Sequence, residues 1–125
     1  MENKICTSIE QSKKLIELGI DVNTADMDYV PFTNNPAEYD CVINVWNNEH
    51  EEDWIPAWSL SALLELIPDK ISINNESYYL SFTKKGVEFR GPITWDGQKA
   101  KTFEMDNILD AAFEMVCWLK ENGKI

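Results

Sequence analysis

Two short segments of the chain place apolar residues at helical spacing between residues that start and stop helices. The first begins at Thr7 or Ser8, because both match the capping-box pattern, in which Glu or Gln follows three residues later. Gly19 is placed to end this helix in the left-handed conformation that glycine adopts easily. The second helix begins at Ser59 and ends before Pro68, because proline cannot continue a helix.

The longest helical pattern lies in the last twenty residues of the sequence. It begins at Asp106 or Asn107, runs to about Asn122 and is closed by Gly123. Its apolar residues cover well over half of the circumference, so the helix must pack across a sheet or between two elements. Its polar side carries three acidic residues, Asp110, Glu114 and Glu121. Cys117 lies at the edge of that side, so we expect a partly exposed thiol that a labelling reagent reaches first.

Alternating apolar and polar residues predict strands in two regions. In the first half, Met27–Phe32 and Cys41–Trp46 are predicted strands, and turn-forming residues 33–40 separate them. In the second half, Ser77–Thr83 opens a series of alternating segments and turns that is typical of an antiparallel meander. Four aromatic residues are expected on the core face of this meander: Tyr78, Phe82, Phe89 and Trp95.

Together these elements predict an α+β fold, an antiparallel three- to four-stranded sheet with about three helices packed on it. A length of 125 residues fits a single domain over residues 1–125. With 44% hydrophobic residues, among them five Trp and five Phe, the chain can fill one core.

The charge of the chain is confined to its first half. From Leu15 to Asp69 the sequence holds twelve Asp or Glu and no Lys or Arg, whereas the charges outside this stretch nearly cancel. The formal net charge of −11 therefore belongs to this acidic stretch. Such a surface repels phosphate backbones and anionic lipids and attracts basic proteins, so we expect no direct nucleic-acid binding and no membrane binding.

The sequence favours a cytoplasmic location. No run approaches the roughly 18 to 20 apolar residues that cross a bilayer, and the first residues do not form the apolar core of a signal peptide. The three cysteines, Cys6, Cys41 and Cys117, form no C-x-x-C pair, and their odd number favours reduced thiols.

The residues that could carry chemistry form no recognisable site, so we expect no cofactor and no metal. His50 stands among acidic neighbours, but adjacent loop residues rarely converge on one ion. The acids between Asp21 and Asp28 lack the spacing of a calcium loop. A nucleophile would need a positioned base, and the chain has one His. A small enzyme that uses a carboxylate or a Cys stays an alternative.

The most suggestive surface combines tryptophans with the acidic loop. Tryptophan is enriched where partner proteins bind, as a large apolar ring inside a polar rim. The predicted partner-binding residues are Trp46, Glu49, Glu51, Glu52, Asp53, Trp54 and Trp58. The alternative is that the segment 54–58 packs down against the helix that follows it.

Three segments resemble a known group of proteins: CTSIEQSKKLIELGIDVNTADM, PAWSLSALLELIP and LDAAFEMVCWLKENGKI. They are similar to small uncharacterised proteins encoded by phages and mobile elements of gut Bacteroides-type bacteria. The resemblance covers the three predicted helices and implies an accessory gene product in a bacterial cytoplasm. It supplies no activity and no functional residues.

The leading hypothesis is therefore a non-enzymatic acidic accessory protein that binds a protein partner with a basic surface. A nucleic-acid mimic that blocks a host DNA-handling protein is the second hypothesis, since carboxylates can stand where phosphates would lie. The small enzyme is the third, and the sequence leaves the oligomeric state open.

Overall fold

The structure is a computed structural model that describes residues 5–32, 35–43, 54–73, 75–91 and 99–125. Its elements in chain order are α1 (Ile9–Glu17), a 3-10 helix (Val22–Thr24), β1 (Met27–Phe32), β2 (Asn35–Ile43), β3 (Ile55–Ala57), α2 (Leu60–Leu66), β4 (Lys70–Ile73), β5 (Glu76–Phe82), β6 (Gly86–Arg90), β7 (Lys99–Glu104) and α3 (Ile108–Glu121). In these residues, no helix is long and apolar enough to cross a bilayer.

The predicted α+β fold is confirmed. A four-stranded antiparallel sheet with the order β4-β5-β6-β7 forms the meander, and β4 is a strand that the sequence patterns did not indicate. A second antiparallel sheet has the order β2-β1-β3 among the described strands. The three predicted α-helices are present, and α3 packs against β6, β7 and α2.

The helix ends follow the predicted capping residues. Ser8 caps α1, and its backbone N–H donates to Gln11 Oε1 at 2.9 Å while the Gln11 N–H donates to Ser8 Oγ at 3.1 Å. Gly19 has φ +91°, the left-handed conformation that ends the helix. Ser59 caps α2 and Asn107 caps α3. Local side-chain hydrogen bonds therefore set where each helix starts.

The strand β2 differs from the prediction, because it begins at Asn35 and not at Cys41. Turn-forming residues lie inside it, since pairing with β1 continues from Met27↔Ile43 to Pro31↔Tyr39 and, after a shift in register, to Phe32↔Asn35. Pro36 lies between Asn35 and Tyr39, where the register with β1 shifts, a position at which a strand tolerates proline. Trp46, the predicted end of this strand, lies outside the described residues.

The main core lies between the helices and one face of the four-stranded sheet. Its fully buried members include Leu15 of α1, Leu63 of α2, Phe89 of β6 and Leu119 of α3. A smaller cluster joins Cys6, Met27 and Ala57 beneath the second sheet. Burial of this apolar surface is the main stabilising contribution to the fold.

The aromatic face of the meander is only partly as predicted. Phe89 is fully buried and Tyr78 packs against the core, but Phe82 at the end of β5 is 49% exposed. Trp95 lies outside the described residues.

A buried hydrogen-bond network joins the segment before α1 to the segment before α2. The Thr7 N–H donates to the Trp58 carbonyl at 2.8 Å, and the Trp58 N–H donates to Thr7 Oγ1 at 3.0 Å. The Thr7 hydroxyl also lies 2.8 Å from Ser12 Oγ, and its carbonyl accepts from the Tyr29 hydroxyl at 2.8 Å. Thr7 and Trp58 are both fully buried, so water cannot replace these bonds.

The Thr7→Val substitution keeps the shape of the side chain and removes its hydroxyl. We expect a loss of about 1 to 3 kcal/mol in unfolding free energy, because the buried Trp58 N–H is left without its acceptor. Urea unfolding measures this loss. The Thr24→Val control removes the hydroxyl that accepts from the Trp58 indole N–H. Because Thr24 is exposed, water can replace this acceptor, and the loss of unfolding free energy should be smaller. Equal losses for the two variants would contradict the role of burial.

Gly86, the first residue of β6, is required by close packing. A Cβ added there would lie 2.8 Å from Thr83 Oγ1 and 3.0 Å from the Phe103 carbonyl oxygen. The first distance is shorter than a Cβ atom normally makes, and the second is at that limit. The second also involves a backbone atom, which cannot rotate away as a side chain can. Only glycine fits without a shift of the strands.

The Gly86→Ala substitution should therefore lower the unfolding free energy by about 1 to 3 kcal/mol, the usual effect of overpacking. Thermal or urea unfolding measures it. Adding Thr83→Ala to the same chain removes the contact at 2.8 Å and should restore part of the loss. A Gly86→Ala protein as stable as the original would show that the strands adjust at no cost.

Candidate functional site

Most of the predicted partner-binding residues lie outside the described part of the chain. These are Trp46, Glu49, Glu51, Glu52 and Asp53. Trp54 is described and half-buried, immediately before β3. The acidic loop stays a prediction that the described residues do not test.

Trp58, the last of the predicted contact residues, is 0% exposed and belongs to the main core. Its indole N–H donates to Thr24 Oγ1 at 2.9 Å. Trp58 directly follows β3, and paired hydrogen bonds with Thr7 fix its backbone there. Trp58 therefore takes the packed arrangement given as the alternative, and in this structure it offers no surface to a partner.

Two carboxylates of the acidic stretch are used inside the fold. Asp28 in β1 is 0% exposed. Asp26 accepts hydrogen bonds from Ser59 N–H at 2.9 Å and from Ser59 Oγ at 2.5 Å, and so orients the residue that caps α2. Four described carboxylates of the stretch are exposed: Glu17, Asp21, Glu65 and Asp69. The surface charge thus differs from the charge that the sequence count suggests.

Two of the exposed carboxylates meet at a groove beside the end of α2. The groove is shallow and open to solvent. Its lining residues, which define the α2 groove, are Ser61, Leu64, Glu65, Ile67, Pro68 and Asp69.

Helical spacing and the helix stop build this groove. Ser61, Leu64 and Glu65 lie three and four residues apart, which places them on one side of α2. Ile67 ends the helix in an extended conformation, with φ −90° and ψ 121°, and turns the chain along that side. The Asp69 carbonyl then accepts from the Leu80 N–H at 2.9 Å, which fixes the end of the groove to β5.

The α2 groove carries negative charge over a partly apolar floor. Glu65 and Asp69 are exposed, whereas Ile67 is buried and Leu64 half-buried. The last carbonyls of a helix are partially negative, so the end of α2 adds to the field of the carboxylates. This arrangement can hold a basic group whose aliphatic stem lies on Leu64. The sequence prediction missed Glu65 and Asp69, although their positions on both sides of the Pro68 helix stop are a usable signal.

The prediction for Cys117 is wrong, because its side chain is only 4% exposed. The start of α1 lies against the start of α3, where Gln11 Nε2 donates to Asp110 Oδ1 at 2.9 Å. At the other end of α1, a Cβ on Gly19 would lie 3.7 Å from Lys120 Cε. A helical wheel of α3 alone does not contain this neighbour.

Burial raises the pKa of the Cys117 thiol to about 12, with a further contribution from Glu114, while Lys14 acts in the opposite direction. The thiol is therefore protonated at neutral pH and is a weak nucleophile. Cys6 is also buried, and its Sγ lies 3.5 Å from the Tyr29 hydroxyl oxygen. Over the described ranges, no three His, Cys, Asp or Glu side chains form a group that could hold a metal ion.

No family model matches the chain, and neither curated proteins nor solved structures gave a match. The functional argument therefore rests on the geometry and charge of the molecule.

The raised pKa of Cys117 predicts a pH dependence of stability. An unfolded Cys loses its proton near pH 8.5, whereas the folded thiol keeps it to about pH 12. The stabilisation is thus complete below about pH 8.5 and is lost as the pH rises towards the folded pKa. Urea unfolding of the original chain and of Cys117→Ala should be measured across this pH range. We expect the unfolding free energy of the original chain to fall relative to that of Cys117→Ala as the pH rises. A constant difference would contradict the shift.

Proposed function

We propose that this chain is a non-enzymatic acidic accessory protein of a phage or mobile element, which binds a protein partner with a basic surface in the bacterial cytoplasm. The observation that supports this most directly is the α2 groove, where Glu65 and Asp69 are exposed within a stretch that holds no Lys or Arg. The genetic origin rests on the resemblance of the three helical segments.

Charge and shape act together in this proposal. An acidic concave surface raises the association rate of a basic partner through long-range attraction. The half-buried Leu64 gives the groove apolar surface, which a charged patch alone lacks. A Lys or Arg side chain has the matching character, with an apolar stem and a cationic end.

The predicted acidic loop, whose residues lie outside the described part of the chain, is a second contact region in this proposal. Glu49, Glu51, Glu52 and Asp53 directly precede Trp54, which is half-buried at the start of β3. A tryptophan next to several carboxylates suits a basic partner, since its ring also attracts cations. In this proposal Trp54 and Trp46 stay contact residues, while Trp58 stabilises the scaffold from the core.

A nucleic-acid mimic is the second candidate. It needs carboxylates on ordered backbone, and Glu17, Asp21, Glu65 and Asp69 lie within or beside the described helices. A mimic differs from a general basic-protein binder in its partner, which must be a DNA- or RNA-handling protein. Free DNA would then compete with the chain for that partner.

The test is capture of partners from a bacterial lysate by the tagged chain, followed by affinity measurement with the isolated partner. Glu65→Lys together with Asp69→Lys should weaken binding at least about tenfold, because two attractive contacts become repulsive. The matched control is Glu76→Lys with Glu121→Lys, which changes two exposed carboxylates outside the acidic stretch and gives the same net charge. Circular dichroism confirms that both variants are folded.

The outcomes separate the possible surfaces. Loss in the groove variant and not in the control supports the α2 groove. Equal loss in both would show that net charge alone matters and would contradict the groove. Loss only when Glu49, Glu51, Glu52 and Asp53 are changed to Lys would place the contact on the loop. Competition by free DNA would favour the mimic.

A further inference from the structure

The outer face of the four-stranded sheet, which points away from the helices, holds an unusual carboxylate. Val87 and Phe89 of β6 are fully buried in the core, so Glu88 between them points to the opposite face. Arg90 on the same face is 55% exposed, yet the Glu88 side chain is only 5% exposed. A buried charge on an otherwise accessible sheet face is costly unless it is paired.

Glu88 is held by its neighbours on this face. Arg90 Nε lies 2.6 Å from Glu88 Oε1. Thr102 on the adjacent strand β7 contacts Glu88 Oε2 with its hydroxyl at 3.5 Å, a long hydrogen bond. The ion pair fixes the carboxylate in one orientation, so the group is preorganised.

A cavity of about 120 Å³ with a mixed polar and apolar lining opens beside this carboxylate. We call it the Glu88 hollow; its main polar lining residues are Thr83, Glu88, Arg90, Thr102 and Glu104. Gly86 also lines it, and a Cβ there would lie 2.8 Å from Thr83 Oγ1 and 3.2 Å from Glu104 Cγ. Thr83 and Glu104 therefore close around Gly86, and the lining of the hollow has no room for a side chain at this residue.

The chemistry of the lining selects a donor-rich cation. The lining residues include two carboxylates, two hydroxyls and one guanidinium, so acceptors outnumber cationic donors and the formal charge of these side chains is −1. An apolar cavity of about 150 Å³ accommodates benzene, so a hollow of this size takes a group of about six heavy atoms or fewer. An anion would meet Glu88 and Glu104, and an apolar group would leave polar atoms without partners.

We propose that the Glu88 hollow binds a primary ammonium or guanidinium group, either of a small free amine or at the end of a Lys or Arg side chain. Glu104 and the Thr83 and Thr102 hydroxyls accept from the ligand, while Glu88 keeps its ion pair with Arg90 and supplies negative field. This site lies on β6 and β7, and it does not depend on the α2 groove.

The experiment is an NMR titration of the labelled chain with methylguanidinium or methylammonium. Tetramethylammonium at the same ionic strength is the control, because it has the charge but no N–H donor. We expect saturable amide shifts at Glu88, Thr102 and Glu104 with the first two ligands. Absence of saturable shifts, or the same shifts with tetramethylammonium, would overturn the proposal.

Matched variants locate the ligand. Glu104→Gln should weaken binding about tenfold or more, since it removes a charged acceptor from an exposed residue and leaves the core intact. Glu76→Gln, an exposed carboxylate on β5, should leave the affinity unchanged. Equal affinity of Glu104→Gln and the original chain would overturn the proposal.

A last arm distinguishes the two sources of the ligand. Arginine blocked at both its amino and carboxyl groups presents the guanidinium on a side chain. Binding as strong as that of methylguanidinium supports a basic side chain as the occupant, and markedly weaker binding supports a free amine.

Discussion

The paired hydrogen bonds between Thr7 and Trp58 hold together elements that are distant in sequence. They fix the segment before α1 to the junction of β3 and α2, where both residues are fully buried. The same two residues make further hydrogen bonds. The Trp58 indole N–H donates to the Thr24 hydroxyl, and the Thr7 carbonyl accepts from the Tyr29 hydroxyl of β1. In a low-dielectric interior such bonds are strong and costly to lose, so they specify one arrangement. The position of α2, and with it the α2 groove, depends on this centre.

The parts of the fold that the sequence could predict are those set by local interactions. The ends of the helices follow from caps such as Ser8 and Asn107, whose partners lie three residues away. The extent of β2 could not be predicted, because pairing with β1 overrides the turn preference of its first residues. Cys117 is buried in a core cluster that includes Leu15 of α1, a neighbour that the pattern of α3 does not contain.

The candidate site likewise has features that the sequence predicts and features that only the structure gives. The sequence predicts an acidic half, but a count of charges does not give their positions. Asp26 and Asp28 serve the interior, whereas Glu65 and Asp69 come together because the chain turns at Pro68. Glu88 stands in an alternating strand pattern that looks solvated, and its burial appears only with its neighbours in place. Surfaces of this kind arise from tertiary structure.

The contact between α1 and α3 has a consequence for how the chain folds during synthesis. Gln11 and Asp110, which it joins, are 99 residues apart in sequence. The ribosome releases α1 long before α3, so the apolar side of α1 has no complete core to cover until α3 emerges. During synthesis α1 can therefore pack first against β3 and the segment before α2, and its contact with α3 is completed only after residues 108–121 have emerged.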